Sequence, residues 1–150
     1  GVETTGKVRL TNEITVSAAH TYLTAVDSNH QQELRRPRNA ARLDLDYAFQ
    51  RGRGNFHVAA IYNGQMADRT SDFSFSPVRV TLDDYWLVSA GASYKLQPGV
   101  EIYGRLENVL NDRYQEVYGY NTPGLAAYAG VRLTFEDNKL LAQSSQTAGR

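Results

Sequence analysis

The residues able to carry chemistry are few and scattered. His20, His30 and His57 are the three histidines, and none stands at metal-ligand spacing from another histidine or a pair of carboxylates. Asp44 and Asp46 lie two residues apart and share a face if their segment is a strand; Glu101 and Glu107 share parity with Arg105. Paired acids can do general acid–base work. Interleaved with arginines, they also read as a charge ladder on a wetted wall, where opposite charges on neighbouring strands contribute a few tenths to about 1 kcal/mol each. Asp83-Asp84 offers half of a calcium cage without the remaining oxygens. Ser71, Ser74, Ser76 and Ser89 sit in no nucleophile elbow, and no glycine-rich loop could cradle a phosphate. With no cysteine in the chain, thiol catalysis, disulfides and cysteine-held zinc are excluded. These residues assemble no enzyme, metal site or cofactor site. Arg35-Arg36-Pro37-Arg38 is a basic cluster ahead of a strand. It reads equally as a contact for anionic headgroups and as a solvated strand entry, with Pro37 where no ladder hydrogen bond is needed.

The elements that must position these side chains show in the patterning. Acidic and basic residues balance at 16 each, so no nucleic-acid footprint exists. Ten tyrosines against one methionine favour strands, because aromatic rings fit a pleated surface. No apolar run approaches the length of a membrane-spanning helix. The start, GVETTGKVRL, lacks the apolar centre of a signal peptide and reads as a strand in mid-course, as expected of a fragment or a processed chain.

Period-2 alternation dominates. It runs through Val2–Leu10, then Ile14, Val16 and Ala18, then ARLDLDYAF, where Leu43, Leu45 and Tyr47 oppose Arg42, Asp44 and Asp46. It resumes at Phe56, Val58, Ala60 and Tyr62, at Trp86, Val88, Ala90, Ala92 and Tyr94, at Val100, Ile102, Gly104 and Leu106, and at Leu125 through Phe135. Seven strands and no helix follow. The connections run short, long, short, long, short, long, with residues 27–38 and 65–84 read as polar loops. Strict alternation puts tight turns at one end of the sheet and long loops at the other, as in transmembrane β-barrels.

Stretches of about nine to twelve residues suit a tilted membrane-crossing strand better than the usual five or six. Aromatics fall at both ends: Tyr22, Tyr62 and Trp86 by long loops, Tyr47, Phe49, Phe56 and Tyr94 by short turns. On this reading Leu43, Leu45, Val58, Val88, Ile102, Val131 and Leu133 face lipid, while Asp44, Arg105 and Arg132 face the lumen. A soluble up-and-down barrel, a ligand-binding module with the apolar face turned inward, has the same alternation.

Residues 94–135 carry a further pattern. Asn108-Val109-Leu110-Asn111 with Tyr114 ends one strand, Gly119-Tyr120-Asn121-Thr122-Pro123-Gly124 makes a loop, and a closing strand ends in Phe135. This order resembles the C-terminal end of TonB-dependent outer-membrane receptors, and ELRRPRNAARLDLDY is similar to an upstream family segment. Within the family, YQEVYGYNTPG looks closest to the vitamin B12 (cobalamin) receptors, with ferric siderophore receptors as the alternative. The resemblance implies an all-β, antiparallel up-and-down transmembrane barrel. Residues 1–136 would be about seven of some 22 strands, with no plug domain in this chain and a disordered tail over residues 137–150.

It also implies the bacterial outer membrane and its lipid, and a plug domain inside the barrel. TonB would engage the plug, and a small-molecule substrate would bind outside. Tyr118, Tyr120 and Asn121, in the loop before the closing strand, are the candidate ligand contacts. The rings of Tyr118 and Tyr120 would rest at an interface, stack on a ligand or pack on a neighbouring loop. Two departures stand out. Fifteen residues follow Phe135, where family members usually end, and Leu125 replaces an arginine often found after the loop.

Overall fold

The computed structural model describes residues 1–135. The tail expected over residues 137–150 lies outside the described residues. Nine strands follow in chain order: β1 Val2–Arg9, β2 Ile14–Tyr22, β3 Asn39–Phe49, β4 Gly54–Asn63, β5 Met66–Ser71, β6 Pro77–Leu82, β7 Tyr85–Gln97, β8 Val100–Glu107 and β9 Ala126–Leu133. Seven form one antiparallel sheet in the order β1-β2-β3-β4-β7-β8-β9. It is an up-and-down meander, and β1 and β9 remain its open edges among the described residues.

The expectation of an irregular loop over residues 65–84 is corrected: β5 and β6 pair there as a separate hairpin. The hairpin stands outside the main sheet, so it needs no continuous apolar face. MADRTS therefore carried no period-2 signal, although Val78, Val80 and Leu82 in PVRVTL alternate.

Register sorts the side chains cleanly. Val16 pairs with Leu45, Leu45 with Val58, Val58 with Ala90, Ala90 with Leu106, and Leu106 with Ala127, one apolar row across six strands. Directly opposed residues point to the same face. On the other face Ser17 meets Asp44, Asp46 meets His57, and Glu101 meets Arg132. Nothing among the described residues covers the apolar face: Leu43 is 50% exposed and Val131 60%. The larger buried apolar side chains, Met66, Leu82 and Tyr85, cluster instead at the long-loop end. A wall with a bare apolar face and a charged reverse is built to meet hydrocarbon on one side and a polar lumen on the other.

Aromatic rings bound the apolar band. At the long-loop end the Tyr62 and Trp86 rings lie 5.0 Å apart. At the turn end Tyr47 packs on Phe49 at 5.7 Å and Phe49 stacks on Tyr94 at 6.3 Å. The Tyr94 hydroxyl donates to Gln50 Oε1 at 2.6 Å, and the Arg53 guanidinium sits over its ring. Trp86 and Tyr94 are eight residues apart on β7, about 26 Å along the strand. A tilt of about 40° shortens this to roughly 20 Å across the membrane, and the rings at each end extend it toward the usual band of about 25 Å.

The tight turns are set locally. The Thr11 hydroxyl accepts from the amides of Glu13 and Ile14 and closes the β1–β2 turn. Gly99 closes β7–β8 at φ +76, and a Cβ there would stand 2.6 Å from the Thr134 carbonyl oxygen, so conformation and space both demand glycine.

Val58 lies opposite Ala90, midway between the two rim aromatics of β7. Val58→Arg in the intact barrel is expected to lose about 2–4 kcal/mol of stability, measured by reversible denaturant unfolding from lipid vesicles. A loss near zero would mean that this face does not meet hydrocarbon.

Candidate functional site at the long-loop end

Three connections gather at one end of the sheet: residues 23–38 after β2, residues 64–84 with the β5–β6 hairpin, and residues 108–125 between β8 and β9. At their meeting point sits Asp68, 0% exposed. It shares a hairpin face with Met66 and Leu82, both buried. Arg35 Nε, from the first connection, donates to Asp68 Oδ1 at 2.9 Å. The amide of Tyr118, from the third, donates to Oδ2 at 2.7 Å. One carboxylate thereby bonds all three connections. The first is also tied to the hairpin by the Arg35 amide, which donates to the Ala67 carbonyl at 2.7 Å. Arg79 adds bonds to the Gln31 side chain and the Gln32 carbonyl.

A small apolar core supports this junction. Met66, Leu82 and Tyr85 are buried together, with Leu87 and Tyr114 packed against them. Tyr114 stacks on Tyr85 at 4.3 Å. The Tyr85 hydroxyl accepts from Asn63 Nδ2 at 3.0 Å and donates to Glu116 Oε1 at 3.4 Å. Tyr85 and Leu87 have the parity of the charged sheet face, so the connections fold across the charged side and leave the apolar side clear.

The closing connection is shaped by its own asparagines. Asn108 and Asn111 both adopt positive φ (49 and 51), a conformation asparagine tolerates better than most residues. Buried Asn108 donates through Nδ2 to the carbonyls of Asp112 and Pro123 and accepts from the Asp112 amide. Asn111 Oδ1 accepts from the Leu125 amide at 3.0 Å. The two asparagines thus tie the start of the connection to its end. Within it, the Thr122 hydroxyl donates to the Tyr114 carbonyl, and Gln115 Oε1 accepts from the Gly119 amide.

Between hairpin and closing connection lies a cleft of about 710 Å³, within the size range of small-molecule sites. Thr81, Leu82 and Asp83 line one wall and Asn111, Tyr118 and Asn121 the other. Asp84 and Arg113 add one charge of each sign. Of the residues singled out in the sequence, Tyr118 and Asn121 line the cleft. Tyr120 stands outside it, 72% exposed.

Asp68 was missed in the sequence. A lone aspartate in a polar stretch carries no local signal, and its burial depends on partners 33 and 50 residues away. The basic cluster separates: Arg35 turns to Asp68, and Arg36 pairs with Glu33 at 2.9 Å.

The charged face carries a ladder of ion pairs. His57 Nδ1 lies 2.9 Å from Asp46 and its Nε2 3.7 Å from Asp44, a cross-strand grouping invisible in linear spacing. Arg42 pairs with Asp44, Arg132 with Glu101, and Arg105 with Glu107. Among the described residues no group of three or more His, Cys, Asp or Glu could hold a metal ion. Asp84, of the Asp83-Asp84 pair, accepts from the Tyr62 hydroxyl at 3.2 Å.

Burial pushes the Asp68 carboxyl up, but the amides of Tyr118 and Arg69 and the Arg35 guanidinium together hold it below the usual carboxylate range. A carboxylate whose folded pKa is depressed stabilises the fold above its unfolded value of about 3.9 and ceases to do so as pH falls through the lower folded value. Protection of the Tyr118 amide from hydrogen exchange, corrected for intrinsic rate, is therefore expected to hold between about pH 7 and about pH 5. It should be lost only below about pH 4. Loss near about pH 6 would contradict the ionised clamp.

The chain matches the family model described as TonB dependent receptor-like, beta-barrel over residues 1–109. Its fold is similar to the ferripyoverdine receptor of the Pseudomonas aeruginosa outer membrane, solved bound to ferripyoverdine, at TM-score 0.76 and 18% identity, covering 89% of this chain and 19% of that one. It is also similar to the ferric enterobactin receptor of the same organism, at TM-score 0.71 and 17% identity over 89% and 22%. A siderophore receptor from Acinetobacter baumannii matches at TM-score 0.66 and 19% identity over 86% and 20%. The chain spans about a fifth of the length of these receptors. Family match and bare apolar face together replace the soluble-barrel alternative with a membrane wall. The chain belongs to the TonB-dependent receptor β-barrel family of the bacterial outer membrane.

Proposed function

We propose that this chain forms barrel wall and extracellular rim of a receptor that takes up a ferric siderophore across the outer membrane. A plug domain inside the barrel and TonB acting on that plug complete the working receptor. The observation that carries this reading is the cleft between the β5–β6 hairpin and the closing connection. It lies at the long-loop end, the extracellular end of such barrels, and on the charged, lumen side of the wall. Its lining mixes two tyrosines, amides and charges of both signs, groups able to orient a polar chelate. The fold-level likeness to receptors described as binding ferripyoverdine and ferric enterobactin supports the substrate class. Tyr118, Tyr120 and Asn121 are the proposed contacts, Tyr118 and Asn121 in the cleft and Tyr120 at its outer edge.

Cobalamin is the second reading. It rests on YQEVYGYNTPG, which looks closest to the vitamin B12 receptors. Tyr118 and Tyr120 could stack on the flat corrin as readily as on an aromatic chelator. Either way this chain alone does not transport: its sheet has two open edges, and a barrel requires closure.

Equilibrium titration of the intact receptor with ferripyoverdine, ferric enterobactin and cyanocobalamin separates the readings. Affinity for a ferric chelate with none for cyanocobalamin is expected, and the reverse would favour cobalamin. Tyr118→Ala is expected to weaken the bound ligand about tenfold, with a smaller effect from Tyr120→Ala. Unchanged affinity in both variants would reduce the two tyrosines to rim structure.

A further inference from the structure

Asp68 has the burial and partners of a functional group, yet it does not line the cleft. The hairpin and the closing connection form opposite walls of the cleft. Among the described residues, the side-chain hydrogen bond between them is the one Asp68 accepts from the Tyr118 amide. The first connection is different. It stays bound to the hairpin through the Arg35 amide, Arg79 and the Leu34–Ala67 bridge, whether or not Asp68 is charged. The closing connection also packs Tyr114 against Met66, Leu82 and Tyr85, so removing the carboxylate should free the Tyr118 segment selectively rather than the whole wall.

The chemistry of the position requires an anion. Oδ1 and Oδ2 each receive a hydrogen from a different donor, Arg35 Nε and the Tyr118 amide. Asparagine has the same shape but a single acceptor oxygen, so its NH₂ would confront one of those donors. Glutamate would add a methylene where nothing is exposed. Arg35 remains half-exposed at 52% while Asp68 is fully buried, so the pair is open to solvent only from the Arg35 side.

We infer that Asp68 is a positioning residue for the ligand cleft: its carboxylate holds the Tyr118 segment against the hairpin, so the placement of Tyr118 in the cleft depends on this one bond. The inference rests on the reading of the cleft as a ligand site. Asp68 lies outside the cleft lining and acts through Tyr118, which it holds by the amide and which lines the cleft.

The test uses the intact receptor, with barrel folding followed by heat-modifiable gel mobility. In Asp68→Asn, exchange of the Tyr118 amide is expected to rise about tenfold or more. Exchange of the Arg35 amide, bonded to the Ala67 carbonyl, should stay at its wild-type rate. Asp72→Asn, the same change in the same hairpin, is the control. Asp72 caps the tip through Oδ1, which accepts from the amides of Ser74 and Ser76, and asparagine keeps that oxygen. It should match wild type.

Ligand titration follows with the ferric chelate or cyanocobalamin that the wild type binds, and Asp68→Asn should weaken it about tenfold. A Tyr118 amide as protected as in wild type overturns the inference. So does a joint rise at Tyr118 and Arg35, which would mark general loosening, and so does a freed Tyr118 with unchanged affinity. A wild type that binds none of the three probes overturns the proposed function instead, while the exchange result still decides the clamp. If Asp68→Asn blocks folding, Arg35→Gln leaves the carboxylate in place. It should then speed Tyr118 exchange by a smaller factor, about threefold, and wild-type exchange there would overturn the inference.

Discussion

A strand in hydrocarbon has no water to satisfy its backbone, so every amide must find a carbonyl on a neighbouring strand. The seven-stranded ladder meets this demand for its inner strands by pairing each with the next spanning strand, β4 with β7 across the β5–β6 hairpin. Among the described residues β1 and β9 keep open edges, which are templates for further strands and a liability if left bare. The same demand explains the short turns. A strand that must re-enter the bilayer beside its predecessor does so most simply through a tight reversal. Gly99 is the point where that reversal leaves room for nothing larger. Side chains follow from the ladder: once register is set, alternation puts Leu43, Val58 and Val131 on one face and Asp44, His57 and Arg132 on the other.

The other end of the sheet obeys a different rule. Outside the bilayer, water can satisfy any backbone, so order there must come from specific contacts. Two kinds supply it. Within the closing connection, Asn108 and Asn111 bond the start of the segment to its end, so its shape is largely self-contained. Between connections, the small cluster of Met66, Leu82, Tyr85 and Tyr114 provides burial, and Asp68 provides direction. A buried carboxylate is costly unless each oxygen is satisfied. Two oxygens with donors from two different connections turn that cost into a geometric requirement, because Arg35 and Tyr118 must both stay in place.

Legibility in the sequence divides along the same line. The strands could be read because a wall between lipid and lumen imposes period-2 alternation over the length of each spanning strand, as ARLDLDYAF shows. The hairpin β5–β6 could not, since a short ribbon outside the membrane needs no continuous apolar face, and the brief alternation of PVRVTL has no counterpart in MADRTS. Tyr118 and Asn121 stood out through their motif and do line the cleft, whereas Tyr120 shares that motif and stands beside it. His57 looked isolated because its partners Asp44 and Asp46 belong to the neighbouring strand, 13 and 11 residues earlier in the chain.

What the sequence determined by itself was therefore the wall: strand count in the main sheet, which side chains share a face, the two aromatic rims and the end that carries long loops. Each is a local, repeating consequence of a two-solvent environment, written into every spanning strand. Only the tertiary structure decided the cap. Whether Asp68 is an ordinary surface acid or a buried clamp depends on Arg35 and Tyr118 arriving from connections 33 residues before it and 50 after. The cleft exists only because the hairpin and the closing connection meet. Periodicity propagates along a chain and can be read there; a meeting of three loops is a long-range event, and its physical basis is burial and hydrogen bonding that no single segment contains.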